Sequence, residues 1–358
     1  MARQWILNSQ EGFEISLEYQ DNVTISSADE LGPNEVLVKL HAASLNYREI
    51  VIAGPGGVNG PIIAPVVPGC DGAGVVEAVG SSVSEFRPGD RVITHSAPKL
   101  VESSGDEAFS SMFDVPLMLG QGSNGTLRSR GVFPEGALVP GPTSLDMLPA
   151  STLTCTGLTA WNVLFGLKGR EAAPGTWILV QGTGGVSVAT LQLAVAAGAT
   201  VVATTSTEEK ATRLRSLGAA HTVNYRGNPD WGLEARKLTP DGRGFDMVVD
   251  IGGNETLPQS LAAVRVDGVV NVTGGVGEAT SESVPLFAAL FHTCIVRGLL
   301  GGSRGQLREL VRFIDEKGIK PALDDVVFEL SEAKDAYRRL KEKKHFSKVV
   351  LRIEHQAH

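Results

Sequence analysis

The sequence predicts an α/β protein made of an antiparallel, barrel-like β domain and a parallel sheet covered by helices. Three observations carry this. The first 150 residues read as short runs separated by Gly and Pro turns. From about Thr176 the texture changes to apolar runs alternating with stretches of helical period, which is repeated β–α–β. The chain has 358 residues, too many for one ordinary core.

The elements follow in order. Gly32-Pro33-Asn34 is a turn that feeds the alternating run at 35–43. A loop rich in Gly and Pro occupies 54–68. Residues 72–80 read as a strand with glycine at both ends, and Pro88-Gly89-Asp90 turns into another at 91–93. Residues 95–131 have weak periodicity and read as a long surface excursion, either part of a substrate mouth or simply solvated. In the second region, strands are predicted at 177–181, 200–204, 245–250 and 269–272, apolar as buried parallel strands are. Helices are predicted at 186–197, 208–217, 257–264 and 307–317. The tail at 347–353 reads as a strand that returns to the first domain.

Composition excludes several classes. Forty acidic residues against 32 basic give a net charge of −8, and no basic block offers a nucleic-acid surface. No apolar run reaches membrane-spanning length. Met1-Ala2-Arg3-Gln4-Trp5 leads into mixed polar sequence without the apolar core of a signal peptide. Cys70, Cys155 and Cys294 are too few and too widely spaced for a disulfide framework or a four-cysteine zinc lobe. A cytoplasmic protein is expected. Two of its histidines, His355 and His358, sit in the polar C-terminal tail.

Gln181-Gly182-Thr183-Gly184-Gly185-Val186-Ser187 follows a predicted strand and opens a predicted helix, the context a dinucleotide site requires. Gly182 permits the tight turn, Gly184 lets the backbone approach a pyrophosphate, and Thr183, Gly185 and Val186 bring helix N-terminal N–H groups to the charge. Ser187 stands where a third glycine is usual. The second strand ends Ala203-Thr204-Thr205-Ser206-Thr207, without the acid that accepts from an adenosine ribose. Ser206 and Thr207 can donate to a 2′-phosphate, Lys210 adds positive charge, and Tyr225 can pack beside the ribose. Glu208 and Glu209 are read as first-turn acids facing solvent. The set favours NADPH/NADP+ over NADH.

The chain resembles the medium-chain dehydrogenase/reductase superfamily, in its zinc-free quinone oxidoreductase and alcohol dehydrogenase-like branch. The resemblance covers residues 35–353. Its marks are Gly69-Cys70-Asp71-Gly72-Ala73-Gly74-Val75-Val76, Gly89-Asp90-Arg91-Val92, Cys155-Thr156-Gly157-Leu158-Thr159-Ala160-Trp161, the block at 180–187, and His345-Phe346-Ser347-Lys348-Val349-Val350. It implies a GroES-like β-barrel domain from residues 1–155 and 320–358. It also implies an inserted Rossmann-type, doubly wound parallel sheet at 156–319. The nicotinamide would lie in the cleft, and the protein would be a homodimer. Zinc-dependent members hold catalytic zinc with Cys, His and Cys. Those positions match Asn46, Cys70 and Cys155 here, with Asp71 matching a nearby Glu, and Asn46 is a poor zinc ligand. No metal is expected.

The same resemblance places Asn46 near the nicotinamide and substrate, with Tyr47 beside it as a candidate acid. Thr159 matches a position close to the nicotinamide. Gly274 and Gly275 would let the backbone meet its carboxamide end, and Ser303, Arg304 and Lys348 match polar positions that reach toward the cofactor phosphates. The expected activity is NADPH-dependent hydride transfer to a small organic acceptor, an enone, a quinone or another conjugated C=C bond. A zinc-independent ketone or aldehyde reductase is the close alternative. A non-catalytic NADPH-binding structural or regulatory protein is the alternative of another class.

Overall fold

The protein is described by a computed structural model covering residues 2–25, 27–275 and 282–354. His355 and His358 lie outside the described residues. The chain divides into two compact units, Met1–Leu158 with Gly301–His358, and Thr159–Leu300.

In chain order the strands of the first unit begin with β1 (Ala2–Leu7), β2 (Leu17–Val23), β3 (Glu35–Ser44), β4 (Asp71–Val79), β5 (Arg91–Thr94), β6 (Arg130–Pro134) and β7 (Leu138–Pro140). The second unit holds β8 (Trp177–Val180), β9 (Thr200–Thr205), β10 (His221–Asn224), β11 (Phe245–Asp250), β12 (Val264–Val272) and β13 (Ile295–Gly298). The chain then returns to the first unit with β14 (Leu323–Glu329) and β15 (Lys348–Arg352).

The first unit is a seven-stranded sheet ordered β14-β15-β3-β4-β5-β7, with β6 also paired to β3, and a β1–β2 ribbon. Its pairs are antiparallel apart from β14–β15, which is parallel. The predicted return of the C-terminal strand is seen: Val350 pairs with Ser44 and Leu351 with Ala43. The crowding of β3 against β4 explains Gly74, where a Cβ would stand 2.2 Å from the Lys39 carbonyl oxygen. The alternating apolar positions Val36, Val38 and Leu40 enter one core with Phe133, Leu138, Tyr337 and Val349.

The second unit is a six-stranded sheet ordered β10-β9-β8-β11-β12-β13, with every pair parallel. In order of appearance this is 3-2-1-4-5-6, the doubly wound arrangement whose order reverses at β8. Leu179, Val202, Val248 and Val270, one from each of four neighbouring strands, are buried together with Trp231 and Phe245.

Two expectations are corrected. The second boundary falls at Gly301, not after residue 319. The helix Arg304–Lys317 belongs to the first unit because its polar side chains bond there. Arg304 Nε donates to the Leu138 carbonyl (2.8 Å), and Asp315 accepts from the backbone and hydroxyls of Thr143 and Ser144. The helix also starts three residues earlier than its apolar period indicated, because Ser303 caps it: Ser303 Oγ accepts from Gln306 N at 3.1 Å. The 95–131 excursion carries one helix, Pro98–Ser104, and a single turn at Val115–Leu117.

Candidate functional site

In the second unit the glycine turn lies at the carboxyl end of β8, the switch point of the sheet. Gly182 has φ +72°, a conformation costly for any residue with a Cβ. Its N–H donates to the Thr204 carbonyl (3.0 Å), tying the turn to β9. Gly184 is the N-cap of the twelve-residue helix Gly185–Ala196, and no side chain caps that end. A Cβ on Gly184 would meet nothing within 4 Å, so the backbone is open to a ligand. Thr183, Gly185 and Val186 are half-buried around it. Uncapped N–H groups, open backbone and the positive end of a helix dipole suit a pyrophosphate. Ser187 is fully buried and donates to the Gln181 carbonyl (2.6 Å), so the place of a third glycine is taken by a hydroxyl that locks helix to strand.

A buried polar layer beneath the turn was not foreseen. Gln181 Nε2 donates to Ser260 Oγ (2.6 Å), and Ser260 Oγ donates to Asp250 Oδ2 (2.5 Å). Gly253 N (2.9 Å) and Thr256 Oγ1 (3.0 Å) complete the carboxylate. Burial pushes the Asp250 carboxyl up, and the Ser260 hydroxyl and these other donors pull it back. The only sequence signal for this layer is an acid ending the apolar run Phe245-Asp246-Met247-Val248-Val249-Asp250. Gly274 and Gly275 follow β12 and are exposed. A Cβ on Gly274 would stand 3.3 Å from the Ile251 carbonyl oxygen, so the ends of β11 and β12 approach closely there.

The end of β9 carries the other predicted cofactor residues. Thr205 Oγ1 is buried without a hydrogen-bond partner. Ser206 is half-buried, and Thr207 caps the helix Glu208–Ser216, its Oγ1 accepting from Lys210 N at 3.3 Å. Lys210 is half-buried in the first turn, and Tyr225 is exposed after β10. Glu208 is held by Arg215 on the exposed side of the helix. Thr159 is buried near the start of Leu158–Phe165.

In the first unit β3 ends at Ser44, and Asn46 N-caps the short helix Tyr47–Ile52. Asn46 is buried, whereas Tyr47 is 38% exposed, so the neighbours face different surroundings. Asn46 N donates to Glu49 Oε2 (2.7 Å). Glu49 is itself buried, which pushes its carboxyl up while Arg48, at 3.0 Å, draws it down. Asn46 Nδ2 lies 3.8 Å from Cys70 Sγ. Lys348 Nζ sits among three acceptors: Asn46 Oδ1 (2.6 Å), Leu45 O (2.9 Å) and Asp71 Oδ2 (2.9 Å). Ser44 Oγ donates to the same Asp71 oxygen at 2.7 Å. Cys155 lies in a wide π-helical turn, Leu153–Gly157.

Three residues expected to reach toward the cofactor phosphates have partners within the first unit. All three N–H donors of Lys348 are spent inside the first unit. Arg304 is buried and paired with Glu85 (2.6 Å) and Asp106 (2.7 Å) as well as with Leu138 O. Ser303 Oγ is a helix cap. The partners of Lys348 and Arg304 lie far away in sequence, whereas Ser303 bonds Gln306 three residues on.

A metal does not fit the Asn46, Cys70, Asp71 and Cys155 positions. Asp71 already has a cation, Lys348, and a second, doubly charged one would meet that ammonium. Asn46 turns its only ligating atom, Oδ1, to the same lysine. Among the described residues no group of three or more His, Cys, Asp or Glu side chains could hold a metal ion, and no helix is long and apolar enough to cross a membrane.

Two family models match the chain: "Alcohol dehydrogenase GroES-like domain" over residues 32–143 and "Zinc-binding dehydrogenase" over residues 185–316. The second runs through the helix that packs in the first unit. A "Zinc-type alcohol dehydrogenase-like protein" of Schizosaccharomyces pombe is 40% identical over 327 residues, 90% of this chain and 92% of that protein. A solved "NAD-dependent alcohol dehydrogenase" superposes with a TM-score of 0.84 at 33% identity, covering 98% of this chain and all of that one. A quinone oxidoreductase of Pseudomonas syringae pv. Tomato DC3000 superposes at 0.77 with 27% identity, over 99% of this chain and 100% of the other. The chain therefore belongs to the medium-chain dehydrogenase/reductase superfamily, in its alcohol dehydrogenase and quinone oxidoreductase-like branch, and is an oxidoreductase of small carbonyl, alcohol or conjugated substrates with a nucleotide-binding Rossmann unit.

Proposed function

We propose that the protein is an NADPH-dependent reductase of conjugated C=C bonds, as in an enone or quinone, and works as a cytoplasmic homodimer. The observation that carries the reading is the Asn46 amide held by Lys348 at the head of the Tyr47–Ile52 helix. An amide donates a hydrogen bond but does not give up a proton cheaply. It suits an enolate, whose charge is delocalised, better than an alkoxide, which needs a proton at once.

Thr183, Gly184, Gly185 and Val186 would hold the pyrophosphate. Ser206, Thr207 and Lys210 would meet the 2′-phosphate, with Tyr225 beside the ribose, and Thr159, Gly274 and Gly275 would line the nicotinamide end. Bound NADPH supplies the hydride. Asn46 Nδ2 donates to the oxygen on which charge collects. The exposed phenol of Tyr47 delivers the proton, so Tyr47→Phe lowers turnover by about 10²-fold and changes the pH profile. That phenol also favours a second reading, ketone or aldehyde reduction, in which the same groups serve an alkoxide.

A panel of enones, quinones, aldehydes and ketones, read by loss of NADPH absorbance, tests the reading. Fast turnover of enones or quinones is expected. Turnover confined to carbonyls selects the second reading. NADPH binding without turnover of any acceptor selects a non-catalytic protein. The homodimer is supported by β13, an edge strand of the parallel sheet, preceded by exposed Leu286, Phe287, Leu290 and Phe291. Light scattering should give twice the chain mass, and Phe291→Lys should halve it.

A further inference from the structure

We infer that Lys348 is a positioning residue that fixes which way the Asn46 amide faces: the oxygen accepts from the lysine, and the NH2 group is turned to the other side, where one of its two protons faces Cys70 Sγ at 3.8 Å and the second is left for the substrate. This rests on the reading of Asn46 as the oxyanion donor.

The two ends of an asparagine amide have nearly the same shape, so its hydrogen-bond partners decide which end points where. An ammonium donates and never accepts. The amide atom 2.6 Å from Lys348 Nζ is therefore the oxygen. Were the amide turned over, an NH2 would face an NH3+ at contact distance, two donors with no acceptor between them. The lysine cannot swing aside to relieve that clash. Its other two donors are taken by Leu45 O and Asp71 Oδ2, both at 2.9 Å, and the side chains of Lys348 and Asp71 are only 4% and 0% exposed. Asp71 is held in turn by Ser44 Oγ.

The placement is built by topology. Lys348 opens β15 and Asp71 opens β4, the two strands that flank the end of β3 at Ala42–Ser44. Two of the three acceptors, Leu45 O and Asn46 Oδ1, belong to the residues that lead from β3 into the following helix. The cation thus sits under the point where the chain turns. A pair needed only to bridge β4 and β15 would have no use for the amide oxygen.

A double-mutant cycle separates positioning from stability. Lys348→Met should lower kcat on a good acceptor by about 10-fold or more, in the range for loss of an oriented oxyanion donor. It should leave the Kd of NADPH within a factor of about two, because no phosphate contact is lost. In an Asn46→Ala background the same change should leave kcat where Asn46→Ala puts it. Losses that multiply, or a wild-type kcat in Lys348→Met beside a low kcat in Asn46→Ala, would overturn the inference. A wild-type kcat in Asn46→Ala would overturn instead the reading of Asn46 on which it rests. Lys348→Met strands the Asp71 carboxylate, so the cycle is repeated with Lys348→Met and Asp71→Asn together, which leaves no unpaired charge. The same non-additivity is expected there.

Discussion

Lys348 and Lys210 have the same ammonium on the same four-carbon stem, and the two units use them in opposite ways. Lys348 is enclosed, with an acceptor for each of its three protons. Lys210 is half-buried in the first turn of Glu208–Ser216, beside a threonine cap and the end of β9. A buried cation whose hydrogen bonds are saturated becomes part of the framework, and removing its partner commonly costs about 3–5 kcal/mol. On the proposed reading, a cation at the rim of a nucleotide-binding sheet would keep its charge for a ligand. In the second unit a helix N-terminus, at Gly184, has no side-chain cap.

The contrast can be broken most sharply at Asn46. Asn46→Ala should lower kcat/KM on a good acceptor by about 10- to 1000-fold, the range for one oxyanion donor. Its NADPH affinity should be unchanged in a fluorescence titration. An equal loss of cofactor binding would mean that the first unit's polar cluster serves the nucleotide after all.

The next effect is on stability, and again comes from a group enclosed in the first unit. His95 is buried, its Nε2 3.4 Å from the Gly302 carbonyl oxygen and its Nδ1 without a partner. Burial lowers its pKa to about 4, the Gly302 carbonyl opposes this, and Arg304 adds to the lowering. The folded value lies below the ordinary 6.5, so the unfolded chain binds more protons between those values. The stabilising contribution is complete above pH 6.5 and is lost as the pH falls toward about 4. At about 1.4 kcal/mol per pH unit the loss is on the order of 3 kcal/mol. Urea midpoints measured from pH 7 to 4.5 should fall more steeply in the wild type than in His95→Gln. Parallel curves would show that His95 is not the group responsible.

Lys210→Ala tests the other lysine. A partly exposed charged hydrogen bond to phosphate is worth about 1.5 kcal/mol, so NADPH should bind about tenfold more weakly while NADH binding hardly moves. Equal affinity of the wild type for both cofactors would remove the 2′-phosphate assignment. The smallest expected effect is none: Asp71 is paired with Lys348, so chelator treatment should leave turnover intact and elemental analysis should find far less than one zinc per chain. Chelator-sensitive activity with stoichiometric zinc would mean that the lysine gives way to a metal.

What the sequence by itself determined is whatever depends on near neighbours. The parallel sheet was legible in the apolar runs at 177–181, 200–204 and 245–250, because a strand buried on both faces has no polar alternation to hide it. The phosphate turn was legible because Gly182 and Gly184 act within one strand-to-helix step, and Asn46 stood out through its match to a family position. Only the tertiary structure decided the partners of Lys348 and Arg304. As residues in a string the two cations look like any surface charges. Lys348 is 277 positions from Asp71 and 302 from Asn46, and Arg304 is 198 from Asp106. Whether a charge meets a ligand or a buried partner depends on which strands the fold lays side by side. Here β15 and β4 flank the end of β3 at Ala42–Ser44, and that adjacency encloses Lys348 beside Asn46.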